Sequence, residues 1–370
     1  MKIYILISLL ALTLSTTCGF IFIPRILRYC KDRKLYDIPN QRKVHKNAIP
    51  RLGGVSFLPS MLIATIIALL AWSYTNDGKK IEISPWTIYF ALGLFIIYAI
   101  GLIDDVFGVS AKKKFLVQIF VSSLPPIAWL YINNFYGFLG IEQVSFWVGA
   151  PLTVFILVFI MNAINLIDGI DGLSAGLSLI ALVGFFYCFF SESIWIYSIL
   201  IAGLIGVLIP FLYYNVFGDA EKGQKIFMGD SGSLTLGYIL GVLLVKFCMD
   251  NPNVMAYRKG SILLSVTLLI IPIFDVCRVV IVRMLHGYGI FHPDKNHIHH
   301  KFMRAGLTQH QALIAILAFA IAFIILNTVL FNWLNFTVTI LIDIAIFTLF
   351  NLLVLNPFIK RNNKQPFQED

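Results

Sequence analysis

The sequence predicts an all-α polytopic membrane protein of about eleven transmembrane helices, with its N-terminus outside and its C-terminus in the cytoplasm. Three observations predict it. Of the 370 residues, 59% are hydrophobic and only 13% charged, and the mean hydropathy is +0.85; a soluble chain of this length is never so apolar. The apolar residues gather repeatedly into runs of the length a helix needs to cross a bilayer, about 20 residues. The lysines and arginines are divided unequally between the two sets of loops. Of 28, all but Lys2, Lys79, Lys80, Lys246, Arg258 and Lys259 fall on one side. By the positive-inside rule that side is cytoplasmic, and all seven histidines share it.

The spans are expected near 3–24, 53–73, 86–103, 115–133, 146–165, 174–191, 194–214, 232–249, 260–282, 311–331 and 336–356. The first runs through Phe20 and Ile23 into Arg25 and Arg28, with most positive charge downstream, so it reads as a retained span and not a cleaved signal peptide. Cys18, Cys30, Cys188, Cys248 and Cys277 form no CxxC pair and read as small apolar fillers. A net charge of +9 would suggest nucleic acid in a soluble protein; here it reports topology, the expected surroundings are membrane lipid, and no nucleic-acid partner is expected. No soluble domain, low-complexity segment or internal repeat stands out, so residues 1–370 form a single integral-membrane domain. Lack of a repeat counts against a transporter built from two related halves. The external loops are short, and the chemistry is expected in cytoplasmic loops near 31–52, 104–114, 165–173, 215–232 and 284–310.

The first of these loops, DIPNQRKVHKNAIPRLGG from Asp37 to Gly54, is cationic through residues such as Lys46 and Arg51. It suits either anionic lipid heads or an anionic substrate. The third span ends in GLIDD. Asp104 and Asp105 stand about 100° apart on a helix, so only one is expected to face a site fully. AKKKF follows, with Lys112–Lys114 placed to hold a phosphate at the membrane surface. The stretch NAINLIDGIDGLSAG, Asn162–Gly176, sets Asn165, Asp168 and Asp171 three apart, which puts their oxygens on one side of a helical backbone. Carboxylates and an amide in a glycine-rich corner suit Mg²⁺ and phosphate; a solvated acidic loop is the plain alternative. KIFMGDSGS opens the eighth span. Its turn offers backbone N–H groups to an anion while Asp230 offers a carboxylate to a cation; Ser231 as a simple helix cap is the alternative. Asp275 and Arg278, at i and i+3, are expected to pair. The cluster His297, His299 and His300, with Lys295, Lys301 and Arg304, suits a diphosphate, a transition metal or a merely solvated loop. Asp343, deep in the last span, is expected to make an interhelical hydrogen bond.

Together these motifs resemble the polyprenyl-phosphate N-acetylhexosamine-1-phosphate transferase family, in the family's order and over essentially the whole chain. The WecA/TagO-type branch fits best. The muramoyl-pentapeptide branch is disfavoured by the long segment Asn215–Met228 and by HIHH in place of three consecutive histidines. The resemblance implies transfer of a UDP-activated N-acetylhexosamine 1-phosphate, GlcNAc-1-phosphate by default, to undecaprenyl phosphate, with release of UMP. GalNAc, FucNAc and QuiNAc are the alternative sugars. It further implies a Mg²⁺ cofactor (Mn²⁺ as substitute), a location in the bacterial inner membrane with the site on the cytoplasmic face, and a possible homodimer. Carried over by motif, Asp230 is the main Mg²⁺ ligand with Asn165, and Lys114 holds the lipid phosphate. Asp104 orients the nucleophile with support from Asp105, His299 and His300 meet the diphosphate, and Asp168 and Asp171 shape the nucleotide side. His297, Lys46, Arg51, Ser231 and Arg304 are expected among the substrate contacts. From another class, an ion-coupled transporter would place its carboxylates near the midplane. Asp104, Asp168, Asp230 and His299 instead lie at cytoplasmic ends.

Overall fold

A computed structural model describes residues 2–37, 48–75, 84–252, 255–290, 292 and 294–362. In lipid, a backbone must satisfy its own polar groups, and helices do so within one segment. Accordingly the described chain is a helical bundle: α1 (Lys2–Arg33), α2 (Phe57–Thr75), α3 (Pro85–Phe107), α4 (Ala111–Ile127), α5 (Phe146–Ile167), α6 (Leu173–Ser191), α7 (Trp195–Val216), α8 (Gly229–Cys248), α9 (Ser261–Leu268), α10 (Ile270–Leu285), α11 (Ile298–Arg304), α12 (Gln309–Leu330), α13 (Phe336–Leu349) and α14 (Asn356–Asn362). Among the described residues nine helical stretches are long and apolar enough to cross a membrane, and α9 with α10 make a tenth, bent by 74°. Each expected span falls on a helix. The fourth is shorter than expected: α4 carries Pro125 and Pro126 and ends at Ile127, and the chain turns at Trp129 into a hairpin of β3 (Asn134–Phe138) and β4 (Ile141–Gln143). A second, two-residue pairing joins β1 (Tyr36–Asp37) to β2 (Ile49–Pro50).

The core is built around α8. Every residue from Ser231 to Cys248 is buried, between α3 on one side and α5 on the other, with α4 bridging those two. A second group packs α1 and α2 against α7, and α6 joins α7 to α8. Lys246, near the far end of α8, is buried with its ammonium 3.8 Å from the centre of the Trp86 ring, a cation–π contact across to α3. The bend between α9 and α10 has a local cause. Pro272, in the first turn of α10, has no N–H for the carbonyl of Leu268, and the helix breaks at Leu269.

The expected hydrogen bond of Asp343 is present. Its Oδ2 accepts from Asn327 on α12 at 2.8 Å, and the same amide donates to Thr267 of α9 at 2.8 Å. Three spans are thereby tied in the apolar interior.

Candidate active site

The predicted site residues converge where the ends of α3, α5 and α8 meet. The chain leaves α7 through a loop and enters α8 at Gly229, whose φ of 72° favours glycine; a Cβ there would lie 2.1 Å from the carbonyl of Arg51 and 2.6 Å from the Asp105 carboxylate. The two backbone N–H groups that follow are not free for a substrate anion, contrary to the expectation from sequence. Asp105 occupies them: Oδ1 accepts from the N–H of Asp230 at 2.8 Å, and Oδ2 from that of Ser231 at 2.9 Å. A carboxylate at a helix N-terminus satisfies orphan donors and meets the positive end of the helix dipole. Asp105 therefore docks α3 onto α8. Ser231 contributes its N–H to this contact while its buried hydroxyl makes no side-chain cap.

Asp104, one step round the helix, does face the cleft. Its Oδ1 accepts from the N–H of Val109 at 2.6 Å, and its Oδ2 lies 3.1 Å from the Lys114 ammonium. Lys114 also reaches Asp230 Oδ2 at 2.6 Å, bridging the two acids. Asp230 Oδ1 accepts from Asn165 Nδ2 at 3.1 Å, and the same amide donates to Ser233 at 2.8 Å. Carboxylate oxygens of Asp104, Asp105 and Asp230 all lie within 4.8 Å of one another. Three carboxylates and an amide, an all-oxygen donor set, fit a hard divalent cation such as magnesium and not zinc. The Lys114 ammonium already lies in this acidic position, and a half-turn of the Asn165 amide would present its oxygen to the same place.

The helical spacing of Asn165, Asp168 and Asp171 does not hold throughout, because α5 ends at Ile167 and Asp168 caps it. Asp168 is exposed, but the surrounding protein still desolvates its carboxyl. This desolvation, with the charges of Asp230, Asp171 and Asp105, pushes its carboxyl up to about 8. Asp171 turns away to Lys225 at 2.7 Å. The turn between them is held from behind by Asn215, which accepts from the N–H of Gly172 at 2.6 Å and donates to the carbonyl of Ile226 at 2.8 Å.

The histidines come from α11 and the residue before it. His299 is buried, with neither ring nitrogen partnered, and its ring lies against Gly169, where a Cβ would sit 2.2 Å from Nε2. Desolvation, aided by His300 and His297, lowers its pKa to about 3; His300 is lowered to about 4, first by desolvation and then by His297 and Arg304. Both rings are thus neutral at pH 7 in the free protein and act as hydrogen-bonding groups. His297 is held by Asp275, with Nδ1 2.8 Å from Oδ2.

Three other basic side chains have partners within the chain. Arg51 donates Nε to the backbone carbonyl of Asp105 at 2.7 Å, bracing the end of α3. Arg304 donates to the carbonyl of Lys295 at 3.0 Å and to Asn296 Oδ1 at 3.3 Å, tying its own loop together. Lys301 leaves the basic cluster altogether: it is buried and donates to Asn351 at 3.0 Å on the π-helical segment Phe350–Leu355. Burial and the neighbouring Arg278 and Arg304 lower it to about 8. Lys46 lies outside the described residues. The expected Asp275–Arg278 pair is present at 2.7 Å. Sequence reasoning missed Lys225 and Asn215; nothing in the local pattern distinguishes Lys225 from Lys222, which pairs with Asp219 in an exposed turn.

The model of glycosyl transferase family 4 matches residues 87–248, the segment that supplies Asp104, Lys114, Asn165, Asp168, Asp171 and Asp230. The chain is 34% identical over 307 residues to a probable undecaprenyl-phosphate N-acetylglucosaminyl 1-phosphate transferase of Bacillus subtilis, covering 83% of this chain and 80% of that protein. The chain belongs to glycosyl transferase family 4. Other relatives in the family include an undecaprenyl-phosphate alpha-N-acetylglucosaminyl 1-phosphate transferase of Yersinia pestis, 29% identical over 82% of this chain and 81% of that protein. A decaprenyl-phosphate N-acetylglucosaminephosphotransferase of Mycolicibacterium smegmatis is 31% identical over 80% and 75%. The family match and the histidine-bearing α11 outside it meet at the Gly169 turn, so the matched segment alone does not supply every predicted site residue.

Proposed function

We propose that the protein transfers N-acetylglucosamine 1-phosphate from UDP-GlcNAc to undecaprenyl phosphate, giving undecaprenyl-diphospho-GlcNAc and UMP. The observation that carries this reading is the cluster in which Lys114 contacts both Asp104 and Asp230 directly. Beside it lie Asp168 and the unpartnered nitrogens of His299. The names of the relatives point to the same reaction and to the default sugar.

A lipid-phosphate oxygen attacks the β-phosphorus of the nucleotide sugar. The bond from that phosphorus to the bridging oxygen breaks, and UMP leaves with the electron pair. The second pKa of a phosphate monoester is near 6, so the nucleophile is already ionised at neutral pH and needs no general base. Positioning and charge stabilisation supply the catalysis. Lys114 is the group to hold the lipid phosphate, exchanging one anion for another as it leaves its carboxylate partners, and Asp104 orients it. His299 and His300 donate to the diphosphate as neutral rings, and Asp168 and Asp171 line the nucleotide side. Asp230 and Asn165, with Asp104 at hand, would hold Mg²⁺, which when bound neutralises phosphate charge; Mn²⁺ would substitute. We place the site on the cytoplasmic face of the bacterial inner membrane, from the lysine and arginine asymmetry. A homodimer through lipid-facing helices is consistent with the exposed apolar side chains along them.

The test is UMP release by the purified protein from UDP-GlcNAc with undecaprenyl phosphate, with Mg²⁺ or with chelator, and with Asp230→Asn as control. Release that needs lipid and Mg²⁺ and is lost in the variant is expected. Release only with another UDP-N-acetylhexosamine would replace the sugar, and no release with any would overturn the reading.

A further inference from the structure

Beyond the 74° bend, in the second turn of α10, one carboxylate is wholly shut off from solvent. Asp275 receives three donors there. Its Oδ2 accepts from His297 Nδ1 at 2.8 Å, and its Oδ1 accepts from the backbone N–H of Ile298 at 2.8 Å and from Arg278 Nη2 at 2.7 Å. Arg278 also donates to the carbonyl of Asn296. The carboxylate thus grips the chain on both sides of His297, through Asn296 and Ile298, as well as the ring itself. Burying an ionic cluster is a poor way to gain stability, since apolar side chains filling the same space do as well or better. What such a cluster does provide is fixed geometry.

We propose that Asp275 is a positioning residue for the transfer reaction, acting through His297 and the start of α11. This rests on the transferase reading above. A carboxylate only accepts hydrogen bonds, so the contact fixes the His297 proton on Nδ1 and leaves Nε2 as the one ring nitrogen free for substrate. The His297 ring lies nearly parallel to that of His299, 4° apart in plane and 6.0 Å between centres, and His299 packs against His300 at 4.2 Å. Because Ile298 begins α11, its N–H on Asp275 also sets the origin from which His299 and His300 project. One buried acid on α10 therefore aligns all three rings, as carboxylates behind metal-bound or catalytic histidines do elsewhere.

Asp275→Asn tests this with little change in volume. If the amide oxygen keeps Ile298 and Arg278, its NH₂ faces His297 and drives the ring proton to Nε2. The expected result is a folded protein whose UMP release falls about 10- to 100-fold in kcat/KM. In a His297→Gln background the same change should cost less than about twofold, because the partner through which Asp275 acts is gone. Nitrogen-15 NMR of histidine-labelled protein should show His297 protonated on Nδ1 in the parent and on Nε2 alone in Asp275→Asn. Loss of equal size in both backgrounds, or full activity in the folded variant, would overturn the proposal. So would an Nε2–H tautomer in the parent, a measurement that needs no variant to fold. A parent that releases no UMP yet shows Nδ1–H would instead sink the transferase reading and leave the Asp275–His297 contact standing.

Discussion

Acidification should weaken this fold through His299. The ring is 1% exposed, its nitrogens have no partner, and burial lowers its pKa from 6.5 to about 3. Between those two values the unfolded chain binds a proton that the folded chain refuses, so stability falls as the pH falls. Above 6.5 the contribution is complete, and below about 3 nothing more is lost. At pH 5 the unfolded ring is almost fully protonated and the folded one almost fully neutral, which costs about 2 kcal/mol relative to pH 8. Thermal unfolding of the purified protein in detergent, for the parent and His299→Gln at pH 7.5 and pH 5, reads this directly. The parent should lose more apparent Tm than the variant on acidification, so the gap between them shifts in the variant's favour. Curves that stay parallel would show that folding leaves the pKa of His299 unshifted, and the desolvation argument would fall with them.

Gly169→Ala would place a Cβ 2.2 Å from His299 Nε2; overpacking against that buried ring costs about 1–3 kcal/mol, and both Tm and UMP release should drop. The adjacent acids should separate by assay. Asp105→Ala strips the acceptor from two N–H groups at the start of α8 and should lower Tm, at about 1–3 kcal/mol for each orphaned donor. Asp104→Ala should leave Tm near the parent's and abolish UMP release; matched melting curves would contradict the docking role of Asp105. Asp343→Asn should be tolerated, while Asp343→Leu removes the acceptor from Asn327 and should destabilise by about 1–3 kcal/mol in detergent unfolding.

Much of the molecule was legible in the order of its residues because the bilayer is so demanding a solvent. Runs of apolar residues place the spans, since no other segment can leave water. Acidic and histidine motifs at span ends therefore had to meet on one side. Even a single residue such as Asp343 was readable, because a carboxyl among apolar side chains must find a partner, and Asn327 provides it. The shortening of α4 was visible in principle at Pro125 and Pro126, which end the helix sooner than hydropathy alone indicates.

What the sequence could not assign was direction. Asp104 and Asp105 are the same residue type side by side, yet one faces Lys114 and the cleft while the other is spent on the first turn of α8. Only the packing of α3 against α8 decides which. Lys301 and Arg304 share one short helix, but α14 and the π-helical segment draw Lys301 inward to Asn351. Lys225 finds Asp171, 54 positions upstream, only because the loop before α8 folds back onto the end of α5. Composition and spacing determine which groups must leave water and at which end of the bundle they gather, because those are one-dimensional costs of solvation. Which oxygen meets which nitrogen is fixed by helices distant in sequence crossing within a few ångströms, and that belongs to the tertiary structure.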